Sequence, residues 1–364
     1  MPEPASATPD FSRPPFAGAP DATFAPLPAD GVLPEDFFST SNLPTYVRVG
    51  GRWLMPERPR MDCVIVQRPD GRLETIEPRR LRRGELVAMG EAEDGSAGIV
   101  VHAEGFLGGG HGANEFKFMA TEVSREKPVN YEELAARVEQ ERRAGGYLVW
   151  VAGPALVHSR ARTDFEWFVR EGYVQAALLG NAVAVHDIEA AIFGTTLGMS
   201  SAGVPTEGGH GLHMRAINRV RAAGSIAAAV QQGIIRSGIM HTLVTSGVPF
   251  VLAGSIRDDG PLPGVVSDTL AAQDAMREHT VRATGAIFVA TALHAIAVGN
   301  MLPAFHVQRG RPEPLMTICV DQTEFVVNKL KDRGTHQAYG VVTNAQDFMH
   351  VLRLYVERAR GSAA

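Results

Sequence analysis

Two hydrophobic rhythms run along this chain, and one gives way to the other near Asn130. Between residues 61 and 123 the apolar positions come in short runs at 63–66, 73–76, 86–89, 98–101 and 116–123, divided by Asp-Gly and glycine-rich turns, and these predict strands. Beyond 130 the period lengthens. Amphipathic segments predict helices over 130–144, 164–171, 187–193, 214–224, 226–235, 268–282, 293–301, 324–331 and 345–358. Between them lie apolar runs at 147–152, 174–179, from Phe250, and at 286–290, 315–320 and 338–342, too continuous to leave one face in water. Repeated strand–helix units of this length predict a mostly parallel sheet with helices on both faces. The first 45 residues, rich in Pro and Ala, follow neither rhythm. The expected organisation is α/β: an irregular arm over 1–45, a small β-rich domain over 46–128 and a parallel-sheet domain over 129–364.

The arm does not read as a signal peptide, because Glu3, Asp10 and Asp21 replace a basic start and no apolar core follows. Its Phe11, Phe16, Phe24, Phe37 and Phe38 are costly to leave in water, so the alternatives are a disordered tail and an arm laid over a neighbouring subunit.

A chain of 364 residues, 45% hydrophobic and 21% charged, is long enough for two domains and a substantial core. Its net charge of −5, without any basic stripe, argues against nucleic acid and anionic membranes as partners. The short cluster Arg79-Arg80-Leu81-Arg82-Arg83 reads as a solvated turn. The most apolar stretch, 283–297, is broken by Thr291 and His294, so no membrane span is expected. Cys63 and Cys319 lie far apart, each inside an apolar strand pattern, which points away from a disulfide and toward a cytoplasmic protein.

Polar residues gather where the predicted strands end, the edge at which open α/β sheets bind ligands. The buried run from Phe250 passes directly into Gly254, Ser255, Arg257, Asp258 and Asp259, braced by Gly260-Pro261 and Pro263. Gly180-Asn181 ends another strand and leads to His186, Asp187 and Glu189; Thr291, His294 and Gly299-Asn300 surround a third crossover; Asp321 and Thr343-Asn344 end the last two strands. Arg257 suits a bidentate grip on a carboxylate. Asp187, Glu189, Asp258 and Asp259 suit proton transfer or an ammonium group, with a helix cap or a surface charge as the alternative for each. Asp321 can accept both hydroxyls of an adenosine ribose while repelling a 2′-phosphate, which points to NAD rather than NADP; it can equally cap the helix over 324–331. No Gly-x-Gly-x-x-Gly follows a strand in this half, so a dinucleotide requires a variant phosphate turn. The loop Gly108–Asn114 has the composition of a nucleotide fingerprint, yet it runs into a strand, and a lid or subunit contact is the expected role. His210 and His213, with His102 and His111, lack the spacing of a zinc site, and no metal is expected.

Four segments together resemble one family. Leu179-Gly-Asn-Ala-Val-Ala-Val-His-Asp-Ile-Glu189, Gly254-Ser-Ile-Arg-Asp-Asp-Gly-Pro-Leu-Pro263, Leu293-His-Ala-Ile-Ala-Val-Gly-Asn-Met-Leu-Pro303 and Lys329-Leu-Lys-Asp-Arg-Gly-Thr335 are similar to the lysine-oxoglutarate reductase/saccharopine dehydrogenase conserved region, in the family's order. That family includes archaeal-type ornithine cyclodeaminases, and the match covers roughly residues 60 to 360. The resemblance implies a second domain similar to deoxyhypusine synthase, a Rossmann-like NAD-binding fold without the usual glycine fingerprint. It makes Gly180, Asn181, Gly254, Ser255, Asn300, Met301, Asp321, Thr343 and Asn344 the expected NAD contacts. It departs from the family at Gly264 and Asn344, where acids are expected. The implied activity is that of an ammonia-lyase turning L-ornithine, or a close basic amino acid, into L-proline and ammonia with NAD as an internal hydride store. On that scheme Arg257 positions the α-carboxylate, Asp258 or Asp259 is the general base, Glu189 or Asp187 holds the second amine, and His294 shuttles a proton or is simply a packed helix residue. A homo-oligomer, dimer or tetramer, is expected. Net NAD-dependent dehydrogenation of an opine-type substrate and a non-catalytic NAD-binding protein remain the alternatives.

Overall fold

The computed structural model describes residues 8–102, 129–158, 161–200, 203–258, 260–308, 310–332 and 339–361. They fall into two compact units: the first takes the chain before Glu122 together with Gly299–Leu315, and the second takes Glu122–Val298, Met316–Lys331 and the C-terminal segment. The loop Gly108–Asn114 and the strand expected over 116–123 lie outside the described residues.

Strict alternation builds the first unit. β1 (Phe24–Pro26), β2 (Thr45–Val49), β3 (Arg52–Leu54), β4 (Val64–Gln67), β5 (Leu73–Ile76), β6 (Leu86–Ala88) and β7 (Ile99–Val101) form two antiparallel sheets in the orders β1-β6-β4-β5 and β3-β2-β7. Val64 and Val66 pack with Leu27, Ile76, Leu81 and Val87, whereas Ile65, one step out of phase, packs with Phe38, Val47, Leu73, Ala88 and Ile99. Val47 and Ile99 come from the second sheet, so this layer is the core between the two.

Residues 8–44 carry little regular structure beyond β1, yet they pack on their own unit. Phe24 stands opposite Ala88 in an antiparallel pair, Phe38 is buried, and Phe11 stacks on Trp53 at 5.1 Å with Phe16 edge-on to the same indole at 5.9 Å. The aromatics that made a free tail costly are covered by their own unit. In the basic cluster, Arg80 and Arg82 pair with Glu77 and Asp30 at 3.2 and 3.0 Å, as a solvated turn requires.

The second unit is a three-layer sandwich. Its helices are α1 (Tyr131–Arg143), α2 (Ala155–His158), α3 (Arg162–Arg170), α4 (Asn181–Phe193), α5 (Leu212–Ala223), α6 (Ile226–Gln231), α7 (Ile239–Thr245), α8 (Thr269–Thr280), α9 (Ala292–Met301), α10 (Glu324–Asp332) and α11 (Ala345–Gly361). Between them run β8 (Leu148–Ala152), β9 (Ala176–Gly180), the small hairpin β10 (Thr195–Thr196) and β11 (Met199–Ser200), β12 (Phe250–Ala253), β13 (Gly285–Val289), β16 (Met316–Asp321) and β17 (Tyr339–Val342). β14 (Phe305–Gln308) and β15 (Arg311–Pro314) make a hairpin that belongs to the first unit, where Ala304 N donates to Asn42 O at 2.9 Å. The sheet is all parallel in the order β12-β9-β8-β13-β16-β17. Counted along the chain these strands lie 3-2-1-4-5-6, the doubly wound Rossmann order, with its switch point between β8 and β13.

Local chemistry sets the helix starts. The side chain of Asn130 accepts Glu133 N at 3.1 Å, and that of Asp268 accepts Ala271 N at 2.7 Å. α4 begins at Asn181 rather than 187, because Ala182–Val185 are as apolar as β9 and hide a helix start just past Gly180. Beneath α1, Glu139 is buried and takes hydrogen bonds from Arg142 at 2.8 and 3.0 Å, from Tyr173 Oη at 2.5 Å and from Arg143 at 2.7 Å. The Arg142 guanidinium leads these donors in holding the carboxyl down to about 2.

Two acids expected at the site are spent on the scaffold. Asp187, fully buried, accepts Arg162 Nε at 2.5 Å, Ile239 N at 2.9 Å and Met240 N at 2.8 Å, so it caps α7 and neutralises a guanidinium. Gly238, at φ 102, is required there, since a Cβ would strike Arg162 Nη2. Glu189, also fully buried, accepts Thr195 Oγ1 at 2.9 Å, Leu197 N at 3.1 Å and Gly198 N at 2.9 Å, fixing the β10–β11 turn. Their carboxylates serve a helix end and a hairpin, which corrects their expected role as holders of a substrate amine.

Because the Glu139 carboxyl is depressed, its stabilisation is fully present above the ordinary value of 4.5 and fades as pH falls toward about 2. Urea titration of Glu139→Gln is expected to show a loss of about 2–3 kcal/mol at neutral pH, narrowing steadily once the pH drops below 4.5. Asp187→Ala strands the Arg162 charge and uncaps α7; it should lower the unfolding free energy by about 3 kcal/mol or more in the same assay.

Candidate functional site

At the carboxyl edge of the parallel sheet, β8 passes into Gly153, β9 ends at Gly180 and β12 passes into Gly254. A Cβ at Gly153 would lie 1.9 Å from Ala290 O, one at Gly180 3.0 Å from His294 Cε1, and one at Gly254 3.1 Å from Ser267 Cα. Only glycine lets the neighbouring groups close so tightly over these strand ends. At the switch point Ala290 holds a left-handed conformation, φ 52, immediately before Thr291 and the start of α9. Such backbone costs about 1 kcal/mol in a residue with a side chain and concentrates at functional sites.

The imidazole of His294 rests against Gly180. Burial pushes its pKa below the usual 6.5, while the nearby Asp258 carboxylate pulls the other way. The ring is therefore neutral at pH 7 and able to accept a proton. Asp258 belongs to a self-closed turn: its carboxylate accepts Ser255 N at 2.8 Å, its own N–H donates to Ser255 O at 3.0 Å, and Ser255 Oγ accepts Arg257 N at 3.3 Å. Ile256 and Arg257 stand exposed at the tip. The return limb is pinned by Asn181 Oδ1, which accepts Leu262 N at 3.1 Å, and by Arg221, which donates to Pro261 O at 3.0 Å. Gly180, Asn181, Gly254, Ser255, Asp258 and His294 are thus gathered over β9, β12 and the start of α9.

Asp321 and Thr343 occupy the other side of the switch point. Thr343 N donates to Asp321 O at 3.0 Å, joining the ends of β16 and β17. Asp321 Oδ1 accepts both the N–H and the hydroxyl of Thr323 at 2.9 Å, so the capping geometry is present alongside a carboxylate at the strand end. Asn344, expected to touch NAD, instead caps α11: its Oδ1 accepts Asp347 N at 2.8 Å and its Nδ2 donates to Asp347 Oδ2 at 2.5 Å. Four large apolar side chains also stand exposed along this edge: Ile256 past β12, Leu293 past β13, Phe325 past β16 and Val342 on β17. From β9 to β16 is three strand spacings, about 14 Å, a span that suits an extended dinucleotide rather than a single nucleotide.

Asn300 and Met301, the last of α9, belong to the first unit, where Met301 is buried and Asn300 Oδ1 is a buried acceptor without a hydrogen-bond partner. Asp259 lies outside the described residues. Gly153 and Ala290 were not foreseen; the only sequence signal was Gly153-Pro154 directly after an apolar run. Among the described residues no group of three or more His, Cys, Asp or Glu side chains is placed to hold a metal ion, and no helix is long and apolar enough to cross a membrane.

Residues 132–352 match the family described as arginine dihydrolase ArgZ-like, C-terminal, Rossmann fold, and residues 44–132 match the first region of the same C-terminal part. An ornithine cyclodeaminase of Methanopyrus kandleri is 44% identical over 344 residues, covering 93% of this chain and 79% of that protein. One from Archaeoglobus fulgidus is 44% identical over 341 residues, with 93% and 79% covered. Among solved structures, a conserved putative LOR/SDH protein from Methanococcus maripaludis superposes with a TM-score of 0.82 at 38% identity, covering 94% of this chain and 99% of that one. AgrE in ternary complex with ornithine and NAD+ gives a TM-score of 0.60 at 37% identity, covering 95% of this chain and 47% of that one. The four-motif resemblance, the Rossmann strand order and these matches agree, and the protein belongs to the ArgZ-like C-terminal family that is shared with the archaeal ornithine cyclodeaminases.

Proposed function

We propose that the protein is an NAD-dependent ornithine cyclodeaminase, converting L-ornithine to L-proline and ammonia. The observation that carries this reading is the pairing of a neutral, glycine-seated His294 beside Asp258 on one side of the switch point with Asp321 on the other. Relatives of that name at 44% identity and an AgrE structure that holds ornithine and NAD+ support it.

The residues present fit the dinucleotide. Gly153 and the left-handed Ala290 keep side chains small at the switch point, where a phosphate bridge would cross, and α9 starts there. In the usual Rossmann arrangement the ribose-binding acid ends the second strand. Here the second strand, β9, ends in Gly180-Asn181 under His294, and the acid ends the fifth. The adenosine half therefore belongs over β16 and β17, and the reacting half over β8, β9 and β12. NAD, when bound, supplies a hydride acceptor and donor for a cycle without net redox change.

The chain's own residues handle charge and protons. Arg257, at the exposed tip of its turn, pairs with the α-carboxylate. His294 takes the proton that must leave an ammonium group before that nitrogen can act as a nucleophile, and Asp258 stabilises the imidazolium so formed. Holding the δ-amine near Cα makes ring closure intramolecular, an advantage that can reach effective molarities of about 10⁵ M or more. We place the enzyme in the cytoplasm, in keeping with two buried cysteines that form no disulfide with each other, and expect it to assemble as a homo-oligomer.

Incubation of the purified protein with L-ornithine and NAD should yield proline and ammonia in equal amounts with no growth of NADH absorbance; NADH rising with turnover would instead establish a net dehydrogenase. His294→Asn is expected to lower kcat by about 10²-fold or more with NAD affinity retained. In the wild type the acid limb of kcat/KM should lie below 6.5, because protonation of the half-buried imidazole removes the acceptor, and that limb should vanish in the variant. Gly180→Ala, whose added Cβ displaces the ring, should lower kcat in the same direction.

A further inference from the structure

Phe325 is the one large aromatic on the first turn of α10, and it is 69% exposed. Helical side chains lean back toward the helix N-terminus, which carries this ring toward the end of β16 and Asp321. Val342 stands opposite Asp321 in the β16–β17 register and is itself 43% exposed. One face of the Phe325 ring is taken by the Lys329 ammonium at 5.3 Å. The edge thus presents an acid that suits a sugar diol, a flat apolar face, and an aliphatic side chain beside them.

We propose that the adenine ring of NAD stacks on Phe325, with Val342 against its edge, while Asp321 holds the ribose of the same nucleoside. This deepens the function proposed above and rests on the reading that the adenosine half lies over β16. A nucleoside fits these residues better than a second copy of the chain would, because a protein face laid over Phe325 would also bury the Asp321 carboxylate. Lys329 polarises the ring from the far side and leaves the near face for the base.

The test is calorimetric titration of the full chain with NAD, ADP-ribose and nicotinamide mononucleotide, for the wild type and for Phe325→Ala, Phe325→Trp and Asp321→Ala. Phe325→Ala should weaken NAD and ADP-ribose alike by about tenfold, the scale of one lost base stack. Its affinity for nicotinamide mononucleotide should not change, and Phe325→Trp should restore the loss. If Asp321→Ala weakens NAD and Phe325→Ala does not, the stacking is overturned while the orientation stands. If neither substitution changes NAD affinity, the adenosine half lies elsewhere and the orientation falls with the stacking. If Phe325→Ala leaves NAD affinity intact but lowers the mass measured by light scattering, a second copy covers the ring and the proposal is overturned.

Discussion

The meeting of β8 and β13 is the constraint on which the rest depends. Both strands are buried along their whole length, and at their ends Gly153 N donates to Val289 O at 2.9 Å while Ala290 O sits where a Gly153 side chain would have to be. In a parallel sheet every carboxyl end lies on one edge, so whatever the chain does must happen along that line. The switch point divides it in two. His294 and the Asp258 turn stand on one side and Asp321 on the other because β9 and β16 leave this central pair in opposite directions.

Much of this was legible in the sequence. Apolar runs of strand length alternating with amphipathic helices specified the parallel α/β unit, and the short runs at 63–66 and 73–76, divided by an Asp-Gly turn, specified the antiparallel one. What misled was local. Pro and Ala in the first 45 residues hide the short strand Phe24–Pro26, which is held by pairing with β6 rather than by any pattern of its own. α7 escaped notice because Ile239–Thr245 is short and rich in β-branched residues; a carboxylate 52 residues earlier caps it.

The site was legible in outline and ambiguous in its acids. A sequence shows that Asp187, Glu189, Asp258 and Asp321 are carboxylates, but not which N–H groups reach them. Asp187 and Glu189 each meet backbone donors that a folded helix end and a hairpin aim at them, and nothing in the residue types announces this. Glycine placement shows where the edge is crowded: a Cβ at Gly180 or Gly254 would stand 3.0 and 3.1 Å from its nearest neighbour. The absent glycine fingerprint also changes meaning, because crowding at the switch point comes from backbone meeting backbone rather than from a glycine-rich turn.

The hairpin Phe305–Pro314 bears on how this chain can be divided. α9 leads into it, Ala304 N donates to Asn42 O, and Phe305 is wholly buried, yet the chain then returns to supply β16, between β13 and β17 of the parallel sheet. Neither unit is a continuous stretch of sequence, so neither can be excised by a single cut: a piece stopping before residue 129 lacks a hairpin of the first unit, and a piece starting there carries that hairpin without Asn42, to which Ala304 is bonded. The match to AgrE accordingly runs across both units together, covering 95% of this chain and 47% of that one.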